Sequence, residues 1–472
     1  MSSSAERDFV TAHRDDLHAD LDAWLRIPSI SADPAHAPDV RASAEWLAEA
    51  LRRTGFPTVE VWETAGAPAV FAEWPSADAG APVALVYGHH DVQPVDPVTL
   101  WEHPPFEPTL VEGPDGPELH GRGASDDKGN VAFHLLGMRA HLAATGRDTP
   151  AVTVKLIVEG EEESGSPHFA DLLRTHADRL ACDVVVVSDT GMAAPDVPSA
   201  VTAMRGLAGA EITLRGPRVD LHSGSFGGGV PNPLHALATL LAGLHDADGR
   251  VTLPGFYDEV RPLTDRERDL MGRVPFDEQA WLAGPAASRV ASGEAGFSTL
   301  ERIGARPTAE VNGMWGGYTG PGHKTIVPAE AHAKISFRLV ADQAPADLGD
   351  QVRAWVAANL PAGMEADVHV PPGGVAPCAS DLDHPAMDAL LRSIAQAFDT
   401  DPGEVLFTRE GGSGPEADLA GILGAPLVFL GAMLPTDRIH SPNERVLLPM
   451  LHRGAEAAAH LWRELATVPF PR

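Results

Sequence analysis

The chain has 472 residues and a formal charge of −31, from 35 Lys and Arg against 66 Asp and Glu. With 44% hydrophobic residues and a mean hydropathy of −0.09, it reads as a soluble globular protein too long for one core, so two or three domains are expected. That charge excludes nucleic acid and anionic membranes as partners, since both are polyanions.

No stretch approaches the roughly 18 apolar residues that a membrane helix needs. The opening M-S-S-S-A-E-R-D-F-V has no apolar core behind a basic start, so no secretory signal is read. The only cysteines, Cys182 and Cys378, make neither a disulfide framework nor a cysteine-type zinc site. A reducing, cytoplasmic setting is expected.

Ala5 to Ile27 carries Val10, Leu17, Leu21, Trp24 and Leu25 on one face, which predicts an amphipathic helix stopped by Pro28. Val40, Ala44, Leu47, Ala48 and Leu51 predict a second, closed by Gly55. Short strands are expected at Thr58 to Trp62 and Ala69 to Trp74, then a buried strand over Val83 to Tyr87, ended by Gly88. A helix follows from Gly129, a strand at Val152 to Val158, a helix around Phe169 to Leu173 and an apolar strand at Val184 to Val187. Strands alternating with helices predict a doubly wound, largely parallel sheet.

Near Ala200 the texture changes. Thr202 to Arg215 reads as strand, Leu234 to Leu244 as helix, and Gly304 to Gly322 as a Gly/Pro-rich stretch. Lys334 to Val340 alternates, with Ile335, Phe337 and Leu339 opposite Lys334, Ser336 and Arg338, as in a half-buried antiparallel strand. A helix is expected from Pro345 to Ala358 and a linker at Pro371 to Pro377. The α/β texture then returns: helix Pro385 to Phe398, strands Val405 to Thr408 and Leu427 to Leu430, helix Leu448 to Leu465. The fold class is therefore α/β, a doubly wound mixed-sheet domain formed by 1–200 and 378–472, interrupted by an inserted α+β domain at 201–377.

Chemistry gathers where strands meet loops. The organising stretch is V-A-L-V-Y-G-H-H-D-V-Q-P, Val83 to Pro94. His89 and Asp91 lie two apart and point the same way on an extended backbone, so one can bind a metal while the other orients it. His90 offers a second imidazole. Four more segments follow: G-R-G-A-S-D-D-K-G-N (Gly121 to Asn130), V-E-G-E-E-E-S-G-S (Val158 to Ser166), V-V-V-V-S-D-T (Val184 to Thr190) and I-H-S-P-N-E-R (Ile439 to Arg445). Two histidines, a glutamate and two aspartates from five segments suit a pair of borderline divalent ions sharing a carboxylate.

Taken in order, these five motifs resemble those of metallopeptidase family 20, which includes carnosinase-type cytosolic dipeptidases, aminoacylase, glutamate carboxypeptidase and succinyl-diaminopimelate desuccinylase. G-x-x-D-V-Q-P with D-D-K-G is most similar to the dipeptidase branch, and the resemblance runs from about Trp24 to the last helix. It implies His89 and Asp189 on one ion, Glu163 and His440 on the other, and Asp126 bridging them. Asp91 would stand behind His89, and Glu162 would be the general base, selected from the run Glu161 to Glu163 by the E-E-S-G spacing. A cis peptide between Asp126 and Asp127 is implied too. D-L-H-S-G-S-F-G-G resembles the segment whose histidine, here His222, reaches across a dimer to the oxyanion. Arg338 matches an arginine that binds the substrate carboxylate, and Ser413 and Thr325 fall in loops that resemble substrate-binding loops. The resemblance thus implies a homodimer formed through the inserted domain. It also implies two divalent ions per chain, zinc first with manganese or cobalt as alternatives, and a small peptide with a free C-terminal carboxylate as substrate. An N-acyl-amino-acid deacylase is the alternative within the same chemistry. No G-x-S-x-G elbow occurs, and Gly121-x-Gly123 lacks a third glycine, which disfavours a serine hydrolase and a dinucleotide-binding enzyme.

Overall fold

The computed structural model describes residues 4–284 and 286–470. Its centre is a six-stranded sheet in the order Thr58–Trp62, Ala69–Trp74, Thr153–Glu159, Val83–His89, Val184–Val187, Leu427–Phe429. The last four of these strands run parallel, and the first two are antiparallel additions at one edge.

Side-chain alternation sends each strand into two cores. Ala84, Val86, Val184 and Val186 join the core beneath the helices Ala5–Leu25, Lys128–Thr145, Pro385–Ala397 and Leu448–Leu465. Leu85, Tyr87, Val185 and Val187 enter the opposite core, under Phe169–Thr175 and Glu416–Leu423. A sheet buried on both faces needs continuous apolar strands, and V-V-V-V is such a strand.

The second layer system has its own core. Strands Thr308–Gly316, Glu330–Leu339, Gly206–Arg215 and Glu365–His369 form an antiparallel sheet in that order. Ile335, Phe337 and Leu339 point beneath the helices Pro233–Ala242 and Leu348–Asn359, as their alternation predicts. The fold is thus a mixed α/β unit with an inserted α+β unit.

Several elements differ from expectation. The central strand runs through Gly88 to His89, which pairs with Glu159. Gly88 is there for space: a Cβ would lie 2.6 Å from Asp127 Oδ2 and 2.8 Å from Val131 Cγ2. The expected strand Thr202 to Arg215 is two strands, Ser199–Met204 and Gly206–Arg215, broken at Arg205 and assigned to different sheets. Ser199–Met204 pairs with Leu406–Glu410 and Cys378–Ala379 and so ties the outgoing and returning chain together. The Gly/Pro-rich stretch contains the strand Thr308–Gly316, whose exposed side chains hide its periodicity. Among the described residues, no helix is long and apolar enough to cross a membrane.

Candidate metal centre and substrate pocket

The parallel strands deliver their acids and imidazole to one edge, the carboxyl ends where ligands of open α/β sheets bind. His89 ends its strand, Glu162 and Glu163 follow Thr153–Glu159, and Asp189 follows Val184–Val187. Asp126 precedes the helix Lys128–Thr145. His440 comes from the C-terminal loop with φ at +59°, a left-handed backbone uncommon outside glycine, though histidine is among the side chains that adopt it more readily.

His89 is fully buried, and its two ring nitrogens have separate tasks. Nδ1 lies 3.1 Å from the Asp91 carbonyl and 3.4 Å from its Oδ1. Both neighbours are acceptors, so Nδ1 is placed to donate to Asp91 and Nε2 is the nitrogen turned to the carboxylates. Nε2 faces Asp126 Oδ1 at 3.0 Å and Asp189 Oδ2 at 3.7 Å. The other oxygen of Asp126 lies 2.9 Å from His440 Nε2, which is also 3.2 Å from Glu163 Oε2. Asp126 therefore presents one oxygen to each imidazole, and Gln93 Nε2 donates to Glu163 Oε2 at 2.6 Å.

Asp91 braces two parts of the site at once. Besides supporting His89, its oxygens accept the backbone N–H groups of Glu162 (3.3 Å) and Glu163 (3.0 Å), which fixes the short helix Glu162–Ser164. The Asp126–Asp127 peptide is cis. Asp127 turns away from Asp126 and accepts the His89 N–H at 3.1 Å. Lys128, the lysine of D-D-K-G, avoids the pocket: its ammonium donates to the Trp24 and Ile27 carbonyls that end the first helix. Burial pushes its pKa down to about 7.

Electrostatics matches a cation site. Burial, with the charges of Glu163, Asp126 and Asp91, pushes Glu162 up to about 9 against the pull of His89. Burial also raises Glu163 and Asp189, and Asp126 adds to both shifts. His440 is drawn up to about 10 by Asp126 and then Glu163. Four crowded carboxylates with two imidazoles are a donor set for hard or borderline divalent ions. His89, Asp126 and Glu163 offer ligand atoms within 4.8 Å of one another, and so do His89, Glu162 and Asp189.

The neighbours left open by sequence fall elsewhere. His90 is buried behind the sheet with Nε2 on the Pro68 carbonyl at 2.9 Å, and burial lowers its pKa to about 4. Glu161 pairs with His168 at 2.9 Å.

A cavity of about 400 Å³ opens over the cluster, lined by Asp126, Glu162, Asp189, Glu410, Ser413 and His440 among others. Arg338, on the open face of its strand, donates to Ser413 Oγ at 2.9 Å and so reaches the cavity's edge. His222 and Thr325 do not line it. They lie on a two-stranded ribbon, Leu221–His222 with Ile326–Val327, where Ser223 N donates to the Thr325 carbonyl. Both are exposed, and His222 Nδ1 accepts the Gly224 N–H at 2.9 Å.

One supporting residue escaped the sequence reading. Glu444, fully buried, accepts from Ser125 N and Asp126 N on one oxygen, at 3.0 and 3.1 Å. Its other oxygen takes Gly123 N at 2.9 Å and Arg122 Nη1 at 2.7 Å. It pins the loop that carries Asp126. The signal was present as the last letter of H-S-P-N-E, but its four donors are loop groups that no periodicity reveals.

Carboxylates and imidazoles converging at the carboxyl end of a parallel sheet, beside a substrate-sized cavity, define a metal-dependent hydrolase. The profile of peptidase family M20/M25/M40 matches residues 85–464, and the chain belongs to that family. It is 30% identical over 446 residues to the Cys-Gly metallodipeptidase of Candida albicans, covering 90% of each chain. It is 28% identical over 483 residues to the human Beta-Ala-His dipeptidase, covering 97% of this chain and 92% of the relative. Among solved structures, a metallo-carboxypeptidase of this family from Sulfolobus solfataricus superposes with a TM-score of 0.76 at 29% identity, covering 96% of this chain and 99% of the other. The family expected from the five motifs is the one found.

Proposed function

We propose that this protein is a dipeptidase that works with two divalent cations, zinc or a similar ion, toward which Asp126 would offer one oxygen each. The observation that carries this reading is the split of Asp126, one oxygen toward His89 and the other toward His440. His89 and Asp189 would hold one cation, and Glu163 and His440 the other. Cations held there supply Lewis acidity: they acidify water and polarise the scissile carbonyl.

The chain's own groups do the rest. Asp91 keeps the His89 tautomer that leaves Nε2 free. Glu162 takes a proton from the attacking water and returns it to the leaving amine nitrogen. Arg338, aligned by Ser413, receives the substrate's C-terminal carboxylate in a charge-assisted pair. His222 donates to the oxyanion, with Thr325 beside it.

His222 and Thr325 share one exposed ribbon away from the cavity, which supports their service to the site of a second chain in a cytoplasmic homodimer formed through the inserted unit. Domain limits near 200 and 377 are supported by the break at Arg205 and the return strand Cys378–Ala379. The deacylase alternative has less support, because both relatives quoted above are dipeptidases.

A panel of dipeptides, C-terminally amidated dipeptides and N-acyl-amino acids, assayed on metal-reconstituted protein, tests the reading. Free dipeptides should be cleaved, their amides poorly, and chelation should abolish turnover. Cleavage of N-acyl-amino acids alone would overturn it.

A further inference from the structure

The cavity over the acids does not stop there. A side cavity of about 230 Å³ adjoins it, and Met192, Glu410 and Pro435 line both. Its wall is otherwise mostly apolar, including Met271, Phe276, Trp281, Leu300 and Ile303. The Phe276 and Trp281 rings are 5.9 Å apart, tilted by 52°. Both are only half-buried, and Ile303 is 37% exposed, so these side chains present apolar surface to the cavity.

This wall belongs to the segment of short helices Asp265–Gly272, Glu278–Ala283 and Thr299–Gly304. It is fastened to the strand Leu406–Glu410. Glu267 pairs with Arg409, Arg273 with Glu404, and the Arg266 guanidinium lies over the Phe407 ring at 5.3 Å. Wall and Glu410 are thus held in one frame.

Glu410 is the unusual member. Its carboxylate has no hydrogen bond or ion pair among the described residues, and burial alone raises its pKa. Glu410 is half-buried, so its unpartnered carboxylate is partly withdrawn from water, and a cation arriving with a ligand offsets the cost of that. The mechanism proposed above uses it nowhere.

Building on the dipeptidase reading above, we propose that the side cavity takes the side chain of a dipeptide's first residue while Glu410 at its mouth binds the α-ammonium, so that the enzyme prefers a large apolar N-terminal residue. The polarity of the pocket sets the direction. Arg338 and Ser413 attract the carboxylate end, and Glu410 repels it. Ammonium and first side chain hang from one α-carbon, so an acid that lines both cavities marks where that carbon sits. The volume lies below the roughly 300–1,000 Å³ of pockets that hold whole ligands and suits a single side chain.

The test is kcat/KM for Leu-Gly, Phe-Gly, Ala-Gly and N-acetyl-Leu-Gly on the metal-loaded enzyme. Leu-Gly and Phe-Gly should exceed Ala-Gly by about 10- to 100-fold, the discrimination that a hydrophobic pocket reaches. Trp281→Ala should shrink that ratio several-fold, and Glu410→Gln should erode the preference for Leu-Gly over its N-acetyl form. Ile303→Gln, at the exposed rim, serves if Trp281→Ala fails to fold. Dipeptide cleavage with Ala-Gly equal to or better than Leu-Gly, or a ratio untouched by the wall variants, would overturn the inference and leave the dipeptidase reading standing. Turnover of N-acyl-amino acids without any dipeptide would overturn both.

Discussion

The edge of the parallel sheet and the tip of the inserted unit are built in opposite ways. At the sheet edge three groups of the cluster are braced from behind: Asp91 behind His89, Glu444 beneath the Asp126 loop, Gln93 on Glu163. Asp91 and Glu444 are buried, Gln93 is half-buried, and all three belong to the same chain as the groups they brace. At the tip, His222 and Thr325 stand exposed on a ribbon of two-residue strands, held by local backbone bonds. The comparison teaches that one chain preassembles the acid and imidazole cluster, while His222 and Thr325 are presented outward; on the proposed function the former would hold the cations and the latter would serve the oxyanion of a second chain. Catalytic geometry must be held tightly to work, so a catalytic role for this ribbon, as proposed, would require a surface for it to dock on.

The largest expected effect strikes the braced half. Glu162→Gln should lower kcat by about 10²- to 10⁴-fold, the range of general acid–base help, with cations retained. Glu161→Gln should be nearly silent because its carboxylate is turned to His168. Swapped phenotypes would put the base one residue earlier.

Next comes the brace itself. Glu444→Ala leaves Arg122 buried without its partner, a loss of about 3–5 kcal/mol of stability for pairs of this kind. Urea denaturation of the metal-free protein reads it. A change within about 0.5 kcal/mol would show that the Asp126 loop is held by something else.

The smallest effect tests the exposed half. Glu162→Gln and His222→Asn chains, each nearly inactive, are unfolded together and refolded as a mixture. Random pairing makes about half the dimers mixed, each with one intact composite site, so about a quarter of wild-type activity should return. A mixture that stays dead, with mixed dimers confirmed by mass, would place His222 in its own chain's site.

The sequence revealed much of this contrast but not all of it. A run of β-branched and aromatic residues made the Val83 strand readable and period-two alternation the Lys334 to Val340 strand, and the same period separates His89 from His90 by sending them to opposite faces. Sequence pattern failed at Gly88, where a glycine reads as a strand end but serves the close approach of Asp127. It failed again across Asp265–Gly272 and Glu278–Ala283, helices too short to show a stripe. Glu444 and Glu410 carry no periodic signal, since their meaning lies in loop donors and cavity walls that only tertiary structure brings together. The roles of His222 and Arg338 came from motif resemblance, and the geometry of one chain leaves His222 outside the cavity.

The central claim is that the cluster around Asp126 would hold two cations, and metal content tests it most directly. Elemental analysis of reconstituted, dialysed protein should give close to two divalent ions per chain, falling toward one in His440→Ala. One ion per chain, unchanged in His440→Ala, would contradict the account.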